Sequence, residues 1–304
     1  MAGGVGRREA IGMMATAMAS ARAVAQQESA PPPAARANRL SIGQWSFHNA
    51  QLAGTLAPMD FPKYSAEELG FKAVEFVNTF YRGMVARPGF GAELRQRCED
   101  AGVEGVLILC DGEGEVAAAD AASRSKAVEN HRKWVDLAAL LGCHAIRVNL
   151  NSQGSPEEQR ASAVAGMREM AAVGEAAKIR ILAENHGGLS SNGEWMASVM
   201  SELDGQWCGT MVDFKNFHID AKTDYDFYKG ISEMMPFAKG VSAKSHDFNE
   251  AGNETGIDYP RAMALVRGAD YRGFIEVEYE GERLSELEGT RRTRDLLLRN
   301  GCTL

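Results

Sequence analysis

Residues 179–188 read Ile179-Arg180-Ile181-Leu182-Ala183-Glu184-Asn185-His186-Gly187-Gly188, and the stretch changes character at its midpoint. Ile179–Ala183 has the length and apolar bias of a buried parallel strand. Glu184, Asn185 and His186 follow with no spacer, and a glycine pair then frees the chain to turn. A carboxylate set directly after the apolar end of a strand costs free energy unless something offsets its desolvation. Such a residue is expected where a strand end opens onto a site.

The pattern recurs along the chain. Short apolar runs at Leu40–Trp45, Ala73–Phe76, Gly105–Leu109, Ala145–Val148, Ile179–Ala183, Gly209–Val212, Gly240–Ala243 and Phe274–Val277 are read as strands. The segments between them have helical period. Val128, His131, Val135, Ala138 and Leu141 share a face, and Ser155-Pro156-Glu157-Glu158 spells a capping box with proline in the first turn. Gly70, Gly102 and Gly142 stand just before strands, where a left-handed residue ends a helix. Eight strands alternating with helices predict an α/β fold, a single-domain (β/α)8 TIM barrel over residues 40–304. A doubly wound open sheet is the competing architecture, but no Gly-x-Gly-x-x-Gly follows the first strand.

A barrel carries its chemistry at the C-terminal ends of its strands. There the sequence places Gln44-Trp45-Ser46-Phe47-His48, Glu75 and Asn78, Cys110-Asp111, Arg147 and Asn149, Glu184 to Gly188, and Asp213 with Asn216 and His218. Ser242, Lys244 and His246 alternate along the seventh strand, and Glu276, Glu278 and Glu280 along the eighth, each set on one face. Glu184, Asp213 and a strand-eight glutamate meeting at one mouth repel one another, and a bound divalent cation is the simplest compensation. Carboxylates with one imidazole suit Mn, Co, Mg, Fe or Zn, and ligand type does not choose among them.

Plainer readings stand beside these. Glu75 is either a substrate contact or an ion-pair partner for Arg147. Asp111 serves to cap the next segment, and Glu280 reads as a solvated loop charge. His131 and His144 read as packing residues. Trp45 and Phe47 suit barrel packing or the apolar face of a sugar ring.

The chain of 304 residues has a net charge of −8, which argues against a nucleic-acid partner. Five scattered cysteines with no Cys-x-x-Cys pair read as buried thiols. Residues 1–25 have the layout of an export signal, with Arg7-Arg8, an apolar stretch from Ala10 to Ala21 and Ala23-Val24-Ala25. The paired arginines resemble the twin-arginine type and imply a periplasmic or otherwise exported protein. Residues 26–39 read as a Pro/Ala-rich tether. No further stretch is long and apolar enough for a transmembrane helix, so no membrane contact is expected after signal removal.

Leu182 to Gly188, Gly240 to Phe248 and Gly273 to Gly281 resemble the motifs of xylose-isomerase-like barrels, a superfamily of sugar and sugar-phosphate isomerases and epimerases, inosose dehydratases and type IV apurinic endonucleases. The resemblance implies a small-molecule carbohydrate substrate and a homo-oligomer as one option. It also implies one divalent metal ion on Glu184, Asp213 and Glu278. Those barrels often show His-x-Lys on the seventh strand; here the histidine position reads Ser242, ahead of Lys244, and His246 is the candidate replacement, the other options being three carboxylates plus water or a metal-free site. The resemblance further implies Glu184 and Glu278 as proton-transfer groups beside a substrate carbonyl, with Lys244 on the developing oxyanion. Trp45, Glu75, Arg147, His186 and Asn216 are then expected to hold the substrate. A keto-sugar lyase or dehydratase, a non-catalytic carbohydrate-binding barrel and, last, an apurinic endonuclease are the alternatives.

Overall fold

The computed structural model describes Met1 and residues 37–304; the expected leader and nearly all of the expected tether lie outside the described residues. In chain order the elements are β1 (Leu40–Gly43), α1 (His48–Leu52), α2 (Phe61–Leu69), β2 (Ala73–Val77), α3 (Phe90–Ala101), β3 (Glu104–Leu109), α4 (Ala121–Leu141), β4 (Ala145–Val148) and α5 (Pro156–Ala177). Then come β5 (Arg180–Glu184), α6 (Gly193–Met200), β6 (Cys208–Asp213), a small hairpin of β7 (His218–Asp220) and β8 (Thr223–Asp224), α7 (Phe227–Met234), β9 (Ala238–Ser245), α8 (Tyr259–Gly268), β10 (Ile275–Tyr279) and α9 (Glu286–Arg299). Eight parallel strands close a barrel in the order β1-β10-β9-β6-β5-β4-β3-β2.

Local chemistry explains the boundaries. Ser155 Oγ accepts from the Glu158 N–H while Glu158 Oε2 accepts from the Ser155 N–H, so the capping box opens α5. Gly102 closes α3 at φ 66°, a conformation that costs a residue with a Cβ far more than glycine. β1 stops at Gly43, two residues short of the expected Trp45. The Gln44 amide explains the stop: its Oε1 accepts from the Val77 N–H and its Nε2 donates to Gln51 and to the Tyr81 hydroxyl, pulling the chain into a 3-10 turn. β9 instead runs on past Ala243, because Lys244 and Ser245 keep their pairing with Glu278 and Tyr279.

Asn38 and Arg39, read as tether, belong to the barrel. Asn38 is buried and donates to the carbonyls of Tyr271 and Gly273 at 3.0 and 3.1 Å. Leu40 N–H donates to the Thr303 carbonyl at 2.7 Å, and β1 lies in register with β10, Leu40 opposite Ile275.

Most apolar burial lies between the sheet and the helices. There Trp134, Val135 and Ala138 of α4 join Val164, Met167 and Met170 of α5, and His131 is buried with them, its Nδ1 against the Ala127 carbonyl. All five cysteines are free and buried. The lumen is divided. Val77, Leu107, Leu109, Leu182 and Met211 form a small apolar cluster, whereas Ser41, Glu75, Ser242 and Glu276 bring polar groups into the interior. Gly43 makes room for them: a Cβ at that position would fall 2.1 Å from Glu276 Oε1. Among the described residues no helix is long and apolar enough to cross a membrane.

Candidate active site

The C-terminal strand ends form a funnel. Glu184, Asp213, Lys244 and Glu278 make its floor at 0–3% exposure, and Trp45, Asp111, Asn149, Asn216, His246 and Glu280 form a half-buried rim, with His186 exposed. Going round the sheet, Glu184 of β5 and Glu278 of β10 are separated by Asp213 of β6 and Lys244 of β9. The strands deliver these side chains to one end because each is the last, or nearly the last, residue of its run.

One half of the floor is organised by Arg147. Its Nη1 donates to Asp111 Oδ1 at 2.7 Å, and its Nε lies 2.7 Å from Glu184 Oε2, close but not aligned as a hydrogen bond. Asn149 also donates to Asp111 at 2.8 Å. Burial disfavours the Asp111 charge, but Arg147 overrides it and holds the carboxyl down to about 2. Burial likewise opposes the Arg147 charge, and Asp111 and Glu184 more than restore it. Asn216 donates to Glu184 Oε1 at 3.2 Å. The carboxylate therefore carries a contact on each oxygen.

The other half is organised by Lys244. Its Nζ lies 2.9 Å from Glu280 Oε2 and 3.6 Å from both Asp213 Oδ2 and Glu278 Oε1. Burial works against the ammonium, but Asp213, Glu278 and Glu280 hold its pKa well above the ordinary lysine range. Glu280 also accepts from the Trp45 indole N–H. Burial disfavours its charge, and Lys244 offsets this and lowers its pKa. Asp213 Oδ1 accepts from the backbone N–H groups of Lys215 and Asn216 at 2.7 and 2.8 Å, and Asn185 brackets its backbone. Burial pushes Asp213 up to about 6 and Glu278 to about 8, against the pull of Lys244. Ser242 Oγ donates to Glu278 Oε2 at 2.8 Å, so Glu278 too is held on both oxygens.

Several expectations need correction. Glu75 makes no ion pair with Arg147: β3 lies between their strands, and Arg147 turns to Asp111 and Glu184. Glu75 is instead sealed in the lumen, accepting from Ser41 Oγ at 2.6 Å, and burial pushes its carboxyl up to about 8. Asp111 caps nothing, because Arg147 and Asn149 take its carboxylate. Glu280 is drawn in from solvent by Lys244 and Trp45. Phe47 packs in the core against Phe61 and Tyr64, whereas Trp45 stays at the mouth, stacked on His48 and Phe80. The sequence assigns no role to Asn185, which brackets the Asp213 backbone, or to Ser41, whose hydroxyl donates to Glu75; an amide directly after a strand-end carboxylate is the available signal for the first.

The residues that the resemblance assigns to a divalent cation do not fit one as they stand. The ammonium of Lys244 occupies the space between Asp213 and Glu278, and Arg147 already faces Glu184. His246 Nδ1 makes no hydrogen bond, and the charged groups that act on the ring are Lys215, Glu280, Lys244 and Glu254. Among the described residues no group of three or more His, Cys, Asp or Glu side chains has the arrangement of a metal site. A separate cleft of about 520 Å³ lies among His144, Arg180 and Asp270–Phe274. It sits by the strand beginnings, the face of a barrel that carries stability, so the chemistry is assigned to the funnel.

Residues 64–300 match the model of the xylose isomerase-like TIM barrel family. A solved structure of a D-tagatose 3-epimerase-like protein superposes with a TM-score of 0.65 at 16% identity, covering 86% of this chain and 96% of that one. A xylose isomerase-like TIM barrel protein from Mycobacterium smegmatis, solved in complex with magnesium, gives 0.65 at 15% identity over 87% and 96% of the two chains. Sugar epimerases recur among the structures that share this fold. The α subunit of a C-glycoside deglycosidase from Arthrobacter globiformis is 36% identical over 55 residues, 18% of this chain and 16% of that protein. The match thus spans about a sixth of that relative.

Proposed function

Because the chain belongs to the xylose isomerase-like TIM barrel family, we propose that it is a carbohydrate isomerase or epimerase that moves a proton beside the carbonyl of a free sugar, keto-sugar or glycoside. The observation that carries this reading is the buried Lys244 ammonium at the strand ends, flanked by Asp213 and Glu278 and, one strand further on, by Glu184. A carbonyl oxygen set on Lys244 gains a donor for the negative charge it acquires as the adjacent C–H is broken.

Glu184 takes that proton. Arg147 and Asn216 fix its two oxygens, so the base is oriented before substrate arrives. The C–H electron pair moves into the enediolate, whose oxygen Lys244 stabilises. Glu278, a carboxyl that burial keeps protonated near neutral pH, supplies a proton to the enediolate, and exchange with water resets both glutamates. Trp45 and Phe80 offer an apolar wall to a sugar ring at the rim. No step is routed through a metal. The leader at residues 1–25 supports export by the twin-arginine route, and an exported enzyme meets free sugars rather than sugar phosphates.

Incubation of the protein with ketohexoses and keto-glycosides in deuterium oxide tests the proposal by NMR. Deuterium is expected at the carbon beside the carbonyl for at least one of them, and Glu184→Gln should abolish its entry. Sugar binding with no deuterium entry would overturn the enzymatic reading in favour of a binding protein.

A further inference from the structure

We propose that Lys244 takes the place of a divalent cation in this funnel, so that its ammonium both neutralises the strand-end carboxylates and polarises the substrate carbonyl, and the protein works without a metal. The inference deepens the function proposed above and rests on it for the carbonyl. The replacement of the cation stands on geometry alone.

Converging buried carboxylates are relieved by protonation or by a positive charge among them. Here the charge is already built into the chain. Nζ of Lys244 is 3.6 Å from Asp213 Oδ2, 3.6 Å from Glu278 Oε1 and 2.9 Å from Glu280 Oε2, and the residue is 3% exposed. Asp213 Oδ2 has no hydrogen-bond partner, so this ammonium is the positive charge that faces it. A small divalent ion binds oxygen at about 2.0–2.2 Å. An ion that close to Asp213 Oδ2 and Glu278 Oε1 shares their space with a protonated amine, which has three donors, no lone pair and the same sign of charge.

The neighbouring groups complete the exclusion. Glu184 accepts from Asn216 and lies against the Arg147 guanidinium, a positive charge already beside it. Glu278 Oε2 is occupied by Ser242, a hydroxyl where an imidazole would offer a nitrogen. The register explains why lysine serves here: Lys244 stands opposite Glu278 on β10, and Ser242 opposite Asp213 on β6. The Lys244 side chain therefore starts level with Glu278 and extends its tip toward the mouth, to Glu280. The contacts to Asp213 and Glu278 are long for hydrogen bonds, which leaves N–H donors for a carbonyl oxygen.

The probe is Mn²⁺. Full-length protein, stripped with a chelator and dialysed, is titrated with Mn²⁺ while free ion is followed by electron paramagnetic resonance; deuterium entry into the keto-sugars is measured in the same samples. Wild type should bind no stoichiometric Mn²⁺ at about 100 μM free ion, a level that fills a site of micromolar Kd. Lys244→Ala, which empties the space between Asp213 and Glu278, should gain a site at least about tenfold tighter than any in wild type. Should that variant not fold, the wild-type titration decides alone. One equivalent of Mn²⁺ on wild type, lost in Asp213→Asn, would overturn the inference whatever the sugars do. No Mn²⁺ binding with deuterium entry that survives the chelator supports both the inference and the proposed function. No Mn²⁺ binding and no deuterium entry with any sugar leaves the replacement standing and removes the isomerase reading.

Discussion

Arg147 and Lys244 are both nearly sealed from solvent, at 4% and 3% exposure, and both face carboxylates at the floor of the same funnel. Arg147 sits tight, with Asp111 and Glu184 each at 2.7 Å and the Cys110 carbonyl at 3.3 Å. Lys244 has one close partner, Glu280, and two loose ones. The planar guanidinium is spent on its neighbours, Glu184 among them, whereas the ammonium keeps donors in reserve. Charge of the same sign, buried to the same depth, is thus held in two ways: one cation is tied closely to its neighbours, and the other, in the proposed mechanism, meets the substrate.

Lys244→Met should reduce kcat/KM by about 10²–10³-fold, the loss seen when one oxyanion donor is removed. The fold should survive, because Glu278, at about 8, is already protonated near neutral pH, and Asp213, held at about 6 by Lys244 against burial, takes up a proton more readily once that ammonium is gone. Kinetics with circular dichroism on the same sample check this; an unfolded protein at neutral pH would make the two cations equivalent. Arg147→Met should act the other way round. It strands Asp111 and Glu184 and should cost about 3–5 kcal/mol of stability, the usual result of removing one side of a buried pair. Urea unfolding measures it, and a loss below about 1 kcal/mol would place Arg147 among weakly coupled surface-like pairs.

The smallest effect concerns a carboxyl with no cation at all. Glu75 is raised from 4.5 to about 8 by burial, so the folded state holds a proton that the unfolded state releases. Its contribution to stability is complete below about pH 4.5 and is lost as pH rises toward 8. Glu75→Gln stays neutral throughout, so its stability should gain on that of wild type as pH rises from 5 to 9. Unfolding midpoints at the two pH values give the answer, and parallel curves would mean that Glu75 has found a partner.

The barrel was legible because its signal is repeated eight times: an apolar run, a polar residue, then helical period. The floor was legible for a related reason, since Glu184, Asp213, Lys244 and Glu278 each break an apolar run where burial makes a charge expensive. Partner choice was not legible. Whether Arg147 meets Glu75 or Glu184 depends on strand order, and β4 borders β3 and β5 but not β2. Whether Lys244 pairs with Glu278, and Glu280 folds back to it, depends on the register of β9 against β10, which periodicity does not encode. His246 shares the parity of Lys244 but lies just beyond the last β9 residue, where alternation along a strand no longer governs direction.

The seam between β1 and β10 has a consequence for how the molecule is made. Leu40 finds Ile275 only after the ribosome has added the more than two hundred residues that separate them, and Leu40 also waits for the carbonyl of Thr303. Until then the growing sheet has two unpaired borders, one on each outermost strand, and each is a template for a neighbouring chain. Glu278 and Lys244 lie beside that seam, so the polar floor is assembled in the same late event that removes the open borders. Synthesis thus leaves the protein most prone to misassociation just before it gains its chemistry.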